Sequence, residues 1–286
     1  MDEVQAGLSL VTGFPSPVAL HVVSLLSRLR RETAIVVRER DHGRARRWAA
    51  SLDAPVDVLL GDPAAVDLGL PGPLARQLQQ RLHTLYHLEP PPLFGRSDRP
   101  LKAAREVVTF AAGAAVPASI VALSRILTGA GHSYRPGSPA SVLRLITESS
   151  RSPLERVLSG RGGALDWTIL KTGVPVDPEG AWSTSPEGKL LHLMVLMHLS
   201  VDIRRFRSVA SRRLVLTSAP LAAQACVHIG DGLQGQGRHL DLGDPRPPTL
   251  AEVDRQLSSM LERLEGVDAE FLSTCRRHAD EIGQRW

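Results

Sequence analysis

Short apolar runs alternate with longer amphipathic stretches over the first 175 residues of the chain. The runs are rich in Val, Ile and Leu and end at glycine, proline or charged residues, which is typical of buried β-strands. They predict strands at residues 8–12, 34–37, 56–60, 82–88, 119–123 and 167–170. Between the strands, apolar positions with helical spacing predict helices at residues 18–29, 43–51, 73–81, 100–112 and 140–158.

This alternation predicts the fold class. Strands separated by helix-length segments form βαβ units, which build a parallel sheet with helices on both faces. We therefore expect an α/β fold with a doubly wound parallel sheet of the Rossmann type and a small C-terminal α/β lobe. The sheet would occupy residues 1–175 and the lobe residues 176–286, with a strand near residues 214–217 returning to the sheet.

Thr249 and Glu252 mark the expected start of a further helix. Two prolines precede Thr249, and the Thr-Leu-Ala-Glu spacing is that of a capping box, in which each side chain bonds the backbone of the other residue. Apolar residues at helical spacing continue to residue 264. A last helix is expected at residues 269–285.

The first predicted strand runs into a glycine turn and then a helix, which is the context of a dinucleotide-binding loop. Such a loop needs small residues for the turn, for close approach of the pyrophosphate and for helix–strand packing. Gly13, Ser16 and Ala19 hold these places. Ser16 allows two interpretations, because it can cap the helix with Pro17 at the first helical position, or donate its hydroxyl to a phosphate. We favour the cap and leave weak phosphate binding open.

Several segments resemble, in order, the extended short-chain dehydrogenase/reductase family, and especially its thioester-reductase and male-sterility-like branch. The opening strand and turn read Leu-Val-Thr-Gly, Arg38 follows the second strand, and a Gly-Asp-Pro turn precedes Asp-Leu-Gly-Leu. The resembling segments are residues 10–13, 34–38, 61–63, 67–70, 85–88, 167–173 and 239–249. Because they span nearly the whole chain, they support the Rossmann-type fold more strongly than the glycine loop does.

The resemblance also implies a cofactor site. It places the glycine loop and Pro17 at the pyrophosphate, and Leu88 along the path of the cofactor. It places Asp62 near the adenine and Arg38 near the ribose. A cation after the second strand suits a 2′-phosphate, so NADP would be favoured over NAD if either binds. Arg38 fits equally well as a solvated residue at the end of the strand in this arginine-rich chain. The alternative to NADP binding is that the protein binds no cofactor.

The resemblance implies a tyrosine as general acid/base, a lysine one helical turn later, and a serine or threonine that binds the substrate oxygen. The chain has only two tyrosines. Pro90 follows Tyr86 and Ser138 follows Tyr134 at the spacing where the lysine would stand. The tyrosine–lysine pair is therefore missing from the sequence.

On the helix before residue 167, the family pattern places Thr147 at the tyrosine position and Arg151 at the lysine position. A threonine hydroxyl is too weak an acid to replace a phenol of pKa about 10, and arginine does not give up its proton. Ser124, after the fifth strand, is the candidate for the retained hydroxyl. Glu89 and Pro90 would crowd the cofactor's path with an acid and a stiff turn. Several departures that line one cleft predict that redox chemistry has been lost.

Two functions remain open at this point. The first is a catalytically impaired binding or regulatory protein whose cleft holds a small molecule or a partner segment. The second is an active NADP-dependent reductase or epimerase with a rewired site, in which Tyr134 supplies the acid beside Ser124. The resemblance also implies a homodimer through the helices at residues 100–112 and 140–158.

Composition limits the class of protein and the ligands that we expect. Hydrophobic residues at 43% and charged residues at 22% are typical of a folded domain, and no apolar run is long enough for a membrane span. We expect a cytoplasmic protein, because Cys226 and Cys275 form neither a disulfide framework nor a metal-type spacing.

The net charge of +4 comes with only three lysines, but aromatic residues at 4% offer few stacking platforms, which argues against binding of nucleic acid. His83 and His87 have a spacing that zinc sites use, but they lack further ligands, so no metal is expected.

Overall fold

The computed structural model describes residues 7–89, 98–125, 153–160, 165–176, 215–232 and 237–243, and beyond these residues 246–249, 251–253, 255, 256 and 259. The strands are β1 (Leu8–Thr12), β2 (Thr33–Val37), β3 (Asp57–Leu60), β4 (Leu82–His87), β5 (Ser119–Arg125), β6 (Asp166–Thr172), β7 (Val174–Val176), β8 (Leu216–Ser218) and β9 (Arg238–Leu242). The α-helices with defined bounds are α1 (Pro17–Arg28), α2 (Glu39–Ala49), α3 (Gly72–Arg81), α4 (Arg99–Ala112), α5 (Pro153–Gly160) and α6 (Ala219–Gly232). A short 3-10 turn at Val66–Gly69 connects β3 to α3.

Seven strands form one parallel sheet in the order β3-β2-β1-β4-β5-β6-β9. All residues of β1 are buried, because this strand lies inside the sheet and is covered on both faces. The chain builds β2 and β3 on one side of β1 and then crosses to β4 on the other side, so the strand order reverses between β1 and β4. This topology confirms the predicted doubly wound sheet of the Rossmann type.

Helices cover both faces of the sheet, because alternate residues of each strand point to opposite sides. Leu10, Leu85 and Ile120 pack with residues of α3, α4 and α5. Val11 and Tyr86 pack with residues of α1, α2 and α6. Each face therefore has its own apolar core, which explains why the central strands read as nearly continuous hydrophobic runs in the sequence.

Helix α2 begins at Glu39, ahead of the predicted start at residue 43. Arg38 stands at its N-cap with an extended backbone, and Glu39 and Asp41 place negative charge in the first turn. Acidic side chains are favourable beside the positive end of a helix, which supports the earlier start. A glycine often marks the end of a helix, so the sequence pattern alone places the start of α2 at Gly43, which is too late.

The strand predicted near residues 214–217 forms, but the prediction that it returns to the large sheet is wrong. β8 pairs in parallel with β7 as a separate two-stranded sheet. Gly173 permits this contact, because a Cβ there would lie 2.1 Å from the Val215 carbonyl oxygen. The Gly173 N–H also donates to Thr217 Oγ1 at 2.9 Å. The strand that returns to the large sheet is β9, which pairs with β6.

Helix α6 packs against α1 on one face of the sheet. Gly230 allows α6 to approach the strands, because a Cβ at this position would lie 2.2 Å from the Tyr86 hydroxyl oxygen. Residues beyond 215 thus contribute both a covering helix and an edge strand to the sheet. The division of the chain at residue 175 into a core and a smaller lobe stays a prediction.

The capping box predicted at residue 249 is confirmed. Thr249 N–H donates to Glu252 Oε2 at 2.7 Å, and Glu252 N–H donates to Thr249 Oγ1 at 3.2 Å. The helix predicted at residues 269–285 lies outside the described residues, as does most of the one predicted at 140–158. Within the described part of the chain, no helix has both the length and the apolar character that crossing a membrane requires.

Candidate functional site

Folds of this kind bind ligands where the strand order reverses, which is here at the carboxyl ends of β1 and β4. We call the space at these two ends the crevice. Gly13 follows β1 with a φ of +108°, a conformation that favours glycine. A Cβ on Gly13 would lie 2.4 Å from the carbonyl carbon of Leu88 and 2.6 Å from the nitrogen of Glu89. The glycine turn therefore rests directly on the segment that leaves β4.

Ser16 connects the glycine turn to the same segment. Its hydroxyl oxygen accepts a hydrogen bond from the Ala19 N–H at 3.3 Å, which confirms the predicted helix cap with Pro17 in the first turn of α1. The same hydroxyl donates to the Leu88 carbonyl at 3.2 Å, and the Leu88 N–H donates to the Thr12 carbonyl at 3.1 Å. A serine hydroxyl has one proton to donate, and here the protein's own backbone receives it.

A buried polar pair lies at the ends of β1 and β4. Thr12 and His87 are register partners, and Thr12 Oγ1 lies 2.8 Å from His87 Nδ1. Burial lowers the pKa of His87, and the charge of Glu89 opposes this shift only in part. The imidazole is therefore neutral near pH 7 and joins the two strand ends through one hydrogen bond. Sequence reasoning missed this pair, although two polar residues at the ends of neighbouring buried strands were a signal for it.

Phe14 anchors the glycine turn to α2. Its ring centroid lies 5.7 Å from that of Trp48, and the guanidinium carbon of Arg44 lies 5.9 Å from the Phe14 centroid. The Phe14 side chain is largely buried between these partners. The turn is therefore held on both sides, by α2 through this ring and by β4 through its backbone.

Four charged side chains meet at the ends of β2, β3 and β4, and we call Arg38, Asp62, Glu89 and Arg99 the charged network. Arg99, at the start of α4, donates to both oxygens of Asp62, at 2.8 and 2.6 Å, and this contact holds the pKa of Asp62 below its ordinary value. Arg99 Nε lies 3.8 Å from Glu89 Oε1. Burial lowers the pKa of Arg38, and Glu89 is the carboxylate that opposes this most. Sequence reasoning missed Arg99, because no local pattern marks its partner.

The backbone fixes the position of Asp62. Its N–H donates to the Leu68 carbonyl at 2.7 Å, and its Oδ1 accepts from the Ala64 N–H at 2.8 Å. Asp67, Leu68 and Gly69 have φ values of +53°, +59° and +71°, which turn this segment back towards β3 while Leu68 becomes fully buried. The Asp-Leu-Gly-Leu segment singled out in the sequence thus supports the Asp62 carboxylate.

A second polar group lies at β5, β6 and β9, and we call Ser124, Lys171, Glu155 and His239 the β5–β6 cluster. Ser124 is buried in β5 and is the register partner of Lys171 in β6. Glu155 Oε1, from α5, lies 3.5 Å from Lys171 Nζ and 3.8 Å from His239 Nδ1. The His239 ring packs edge-on against Trp167 at 5.3 Å between centroids. Sequence reasoning missed Lys171 and His239 here, because their role depends on how three strands align.

The residues predicted to bind a cofactor come together around the crevice: Gly13, Ser16, Pro17, Arg38, Asp62 and Leu88. Ser124 lies apart from them in the β5–β6 cluster. Thr147, Arg151 and Tyr134 lie outside the described residues, so their predicted positions stay predictions.

The strand order and the glycine turn at its reversal define the class of fold: the chain has a Rossmann-type fold, which it shares with solved reductase domains and an epimerase. The terminal R domain of the myxalamid PKS-NRPS pathway is 17% identical, with a TM-score of 0.63 over 95% of this chain and 77% of that one. The reductase domain of a nonribosomal peptide synthetase from Mycobacterium tuberculosis is 15% identical, with a TM-score of 0.67 over 91% of this chain and 72% of that one. UDP-glucose 4-epimerase from Thermus thermophilus, solved with NAD, is 15% identical, with a TM-score of 0.55 over 88% and 82%.

No protein-family model matches the sequence, and no curated protein is significantly similar to it. At identities this low, the likeness to solved structures shows the fold. The resemblance drawn from the sequence is confirmed at that level. Function has to be argued from the chain's own site, because one fold hosts many activities.

Proposed function

We propose that the chain is a short-chain dehydrogenase/reductase-like protein that has given up hydride transfer and acts as a binding or regulatory protein. The observation that carries the proposal is the bidentate bond between Arg99 and Asp62. The resemblance assigns the Asp62 carboxylate to the adenine, but both of its oxygens are engaged by a guanidinium. The protein therefore satisfies internally a group that a cofactor would need.

Two further features argue that the residues around the crevice do not fit a dinucleotide. The Ser16 hydroxyl donates to the Leu88 carbonyl, so its proton is not available to a phosphate. Glu89 follows directly: its backbone nitrogen lies against the glycine turn, and its largely buried carboxylate adds a negative charge beside Arg99, at the same crevice that a pyrophosphate would enter. Like charges at close range are unfavourable, and more so where burial limits solvent screening.

The missing acid supports the same proposal. Hydride transfer to a carbonyl needs a proton donor with a suitable pKa, and the sequence places Thr147 and Arg151 where a tyrosine and a lysine would stand. Neither side chain can take over that proton transfer. The proposed occupant of the cleft is a small molecule or a partner segment that undergoes no redox step.

One observation favours a second candidate, an active NADP-dependent reductase or epimerase with a rewired site. Ser124 and Lys171 are neighbours on β5 and β6, so a hydroxyl and an ammonium occur together at the carboxyl end of the sheet. The similar solved structures include reductase domains and an epimerase solved with NAD. In this candidate Tyr134 would supply the proton, and the proposed homodimer would form through α4 and the helix predicted at residues 140–158.

Titration of the purified chain with NADPH and NADH by calorimetry distinguishes the two candidates. We expect no heat of binding for either dinucleotide, and no oxidation of NADPH in the presence of carbonyl compounds. A matched Ser16→Gly variant keeps a residue that tolerates the cap position and frees the Leu88 carbonyl, so binding that appears only there would support closure of the crevice. Tight NADPH binding to the unchanged protein, with turnover that disappears in Tyr134→Phe, would defeat the proposal.

A further inference from the structure

The Glu89 carboxylate lies beside the guanidinium group of Arg99, and its charge also acts on that of Arg38. Its Oε1 lies 3.8 Å from Arg99 Nε, and its charge is the main one that opposes the burial of Arg38. Glu89 Oε2 is buried and accepts no hydrogen bond from any described residue. Within the described part of the chain, charge attraction thus places this carboxylate, without the direct hydrogen bonds that usually hold a buried acid.

Arg38 depends on this carboxylate. The other acid near it among the described residues, Asp41, approaches its Nε only to 3.9 Å, which is longer than a hydrogen bond. Arg40 and Arg99 add like charge around it. A partly buried guanidinium needs an anion nearby, because removal from water penalises an unpaired charge.

The two acids of the charged network therefore differ in how they are bound. Asp62 receives two short hydrogen bonds from Arg99, at 2.6 and 2.8 Å, whereas Glu89 receives none at that range from the residues that the structure describes. Guanidinium groups bind carboxylates and phosphates by the same charge-assisted hydrogen bonds, and while Asp62 takes Nη1 and Nη2 of Arg99, its Nε faces Glu89. An oxyanion that reached both Arg38 and Arg99 directly would bind them better than Glu89 does.

We propose that Glu89 is an internal anion that occupies the anion-binding position of the crevice between Arg38 and Arg99, and thereby blocks phosphate-bearing ligands. This autoinhibitory contact rests on the proposed function, since it explains how a crevice of this fold remains closed to a dinucleotide. Asp62 keeps Arg99 in place when Glu89 is removed, so the site would persist in a variant that lacks the carboxylate.

Calorimetric titration with inorganic pyrophosphate tests this proposal on the full chain. Glu89→Gln keeps the size of the side chain and removes its charge, and we expect it to bind pyrophosphate at least about tenfold more tightly than the unchanged protein. Glu89→Ala removes the side chain altogether and should show the same gain. The control is Asp98→Asn, which removes an exposed acid next to Arg99 and should leave binding unchanged.

The double variant Glu89→Gln/Arg38→Met identifies the anion site. We expect it to lose the gain in affinity while its circular dichroism spectrum stays that of the folded protein. Equal pyrophosphate affinity in the unchanged protein and in both Glu89 variants would overturn the proposal, as would a gain that survives loss of Arg38. NADPH binding to the unchanged protein would instead defeat the proposed function, so the two failures are distinguishable.

Discussion

The crevice and the β5–β6 cluster lie along the same sheet but are built from different contacts. In the crevice, main chains meet: the Gly13 turn rests on the backbone of Leu88. In the β5–β6 cluster, side chains meet: Glu155 lies 3.5 Å from Lys171 and 3.8 Å from His239. The backbone conformation fixes the geometry of the crevice, whereas side-chain rotamers fix that of the β5–β6 cluster.

This difference teaches that one strand order can carry two kinds of site, so the contacts at each site, and not the order of the strands, determine how it responds to substitution. A gap filled by backbone opens only if the chain moves, whereas side chains rearrange at the cost of a rotamer change. We therefore expect substitutions in the crevice to have the largest effects on stability, and those in the β5–β6 cluster to have intermediate ones. The solvated edge of the charged network should give the smallest effect.

Gly13→Ala should give the largest effect. The new Cβ would lie 2.4 Å from the Leu88 carbonyl carbon, on a backbone with a φ of +108° that disfavours alanine. Because clash and strain act together, we expect the free energy of unfolding to fall by about 3 kcal/mol or more. Urea denaturation followed by circular dichroism measures this loss.

Gly43→Ala is the matched control, since Gly43 lies exposed within α2 and its Cβ would meet only the flexible end of Arg47 at 3.7 Å. It should stabilise the protein by about 0.5–1 kcal/mol, because alanine restricts the unfolded chain and suits a helix. If the two alanine variants were equally stable, the account of the crevice as a backbone contact would be wrong.

The parts of the molecule that the sequence predicted are those determined by local patterns. Buried strands read as apolar runs, and the Ser16 cap follows from a serine and a proline at a helix start. The Arg99–Asp62 bond joins residues 37 positions apart, and it depends on how α4 docks on the ends of the strands. No local periodicity contains that information. The glycine turn was therefore recognisable from the sequence, and the family resemblance pointed to Arg38, Asp62 and Glu89, whereas nothing in the sequence pointed to Arg99.

Lys171→Met should have an intermediate effect. It leaves the Glu155 carboxylate, which is buried, without its nearest described cation, and the methionine keeps most of the aliphatic stem. Because Lys171 is still partly exposed, we expect a loss of about 1–2 kcal/mol in the free energy of unfolding, less than for a fully buried pair. Thermal and urea denaturation provide the measurement.

Arg81→Met is the control for that variant, since the pair of Arg81 with Glu32 is exposed on both sides. Its loss should stay below about 0.5 kcal/mol. The double variant Lys171→Met/Glu155→Gln should recover part of the stability, because it also removes the buried charge. If the stability losses of the single variants Lys171→Met and Glu155→Gln simply add in the double variant, the two side chains are not coupled.

Asp62→Asn should give the smallest effect, visible in the dependence of stability on pH. The hydrogen bonds from Arg99 hold the pKa of Asp62 below its ordinary value, so the unfolded chain takes up a proton at a higher pH than the folded chain does. The stabilisation is therefore complete above the unfolded-state pKa of about 4 and is lost as the pH falls through the lower folded-state pKa. Solvent screens this half-exposed carboxylate, so the contribution is small.

Urea midpoints measured between pH 2 and pH 7 should fall less steeply towards acid in Asp62→Asn than in Asp57→Asn, which removes an exposed carboxylate from β3. If the urea midpoints of the two variants fell equally steeply towards acid, the Arg99–Asp62 bond would not persist in solution. The comparison would then fail, because the side chains of the charged network would be held less firmly than those of the β5–β6 cluster.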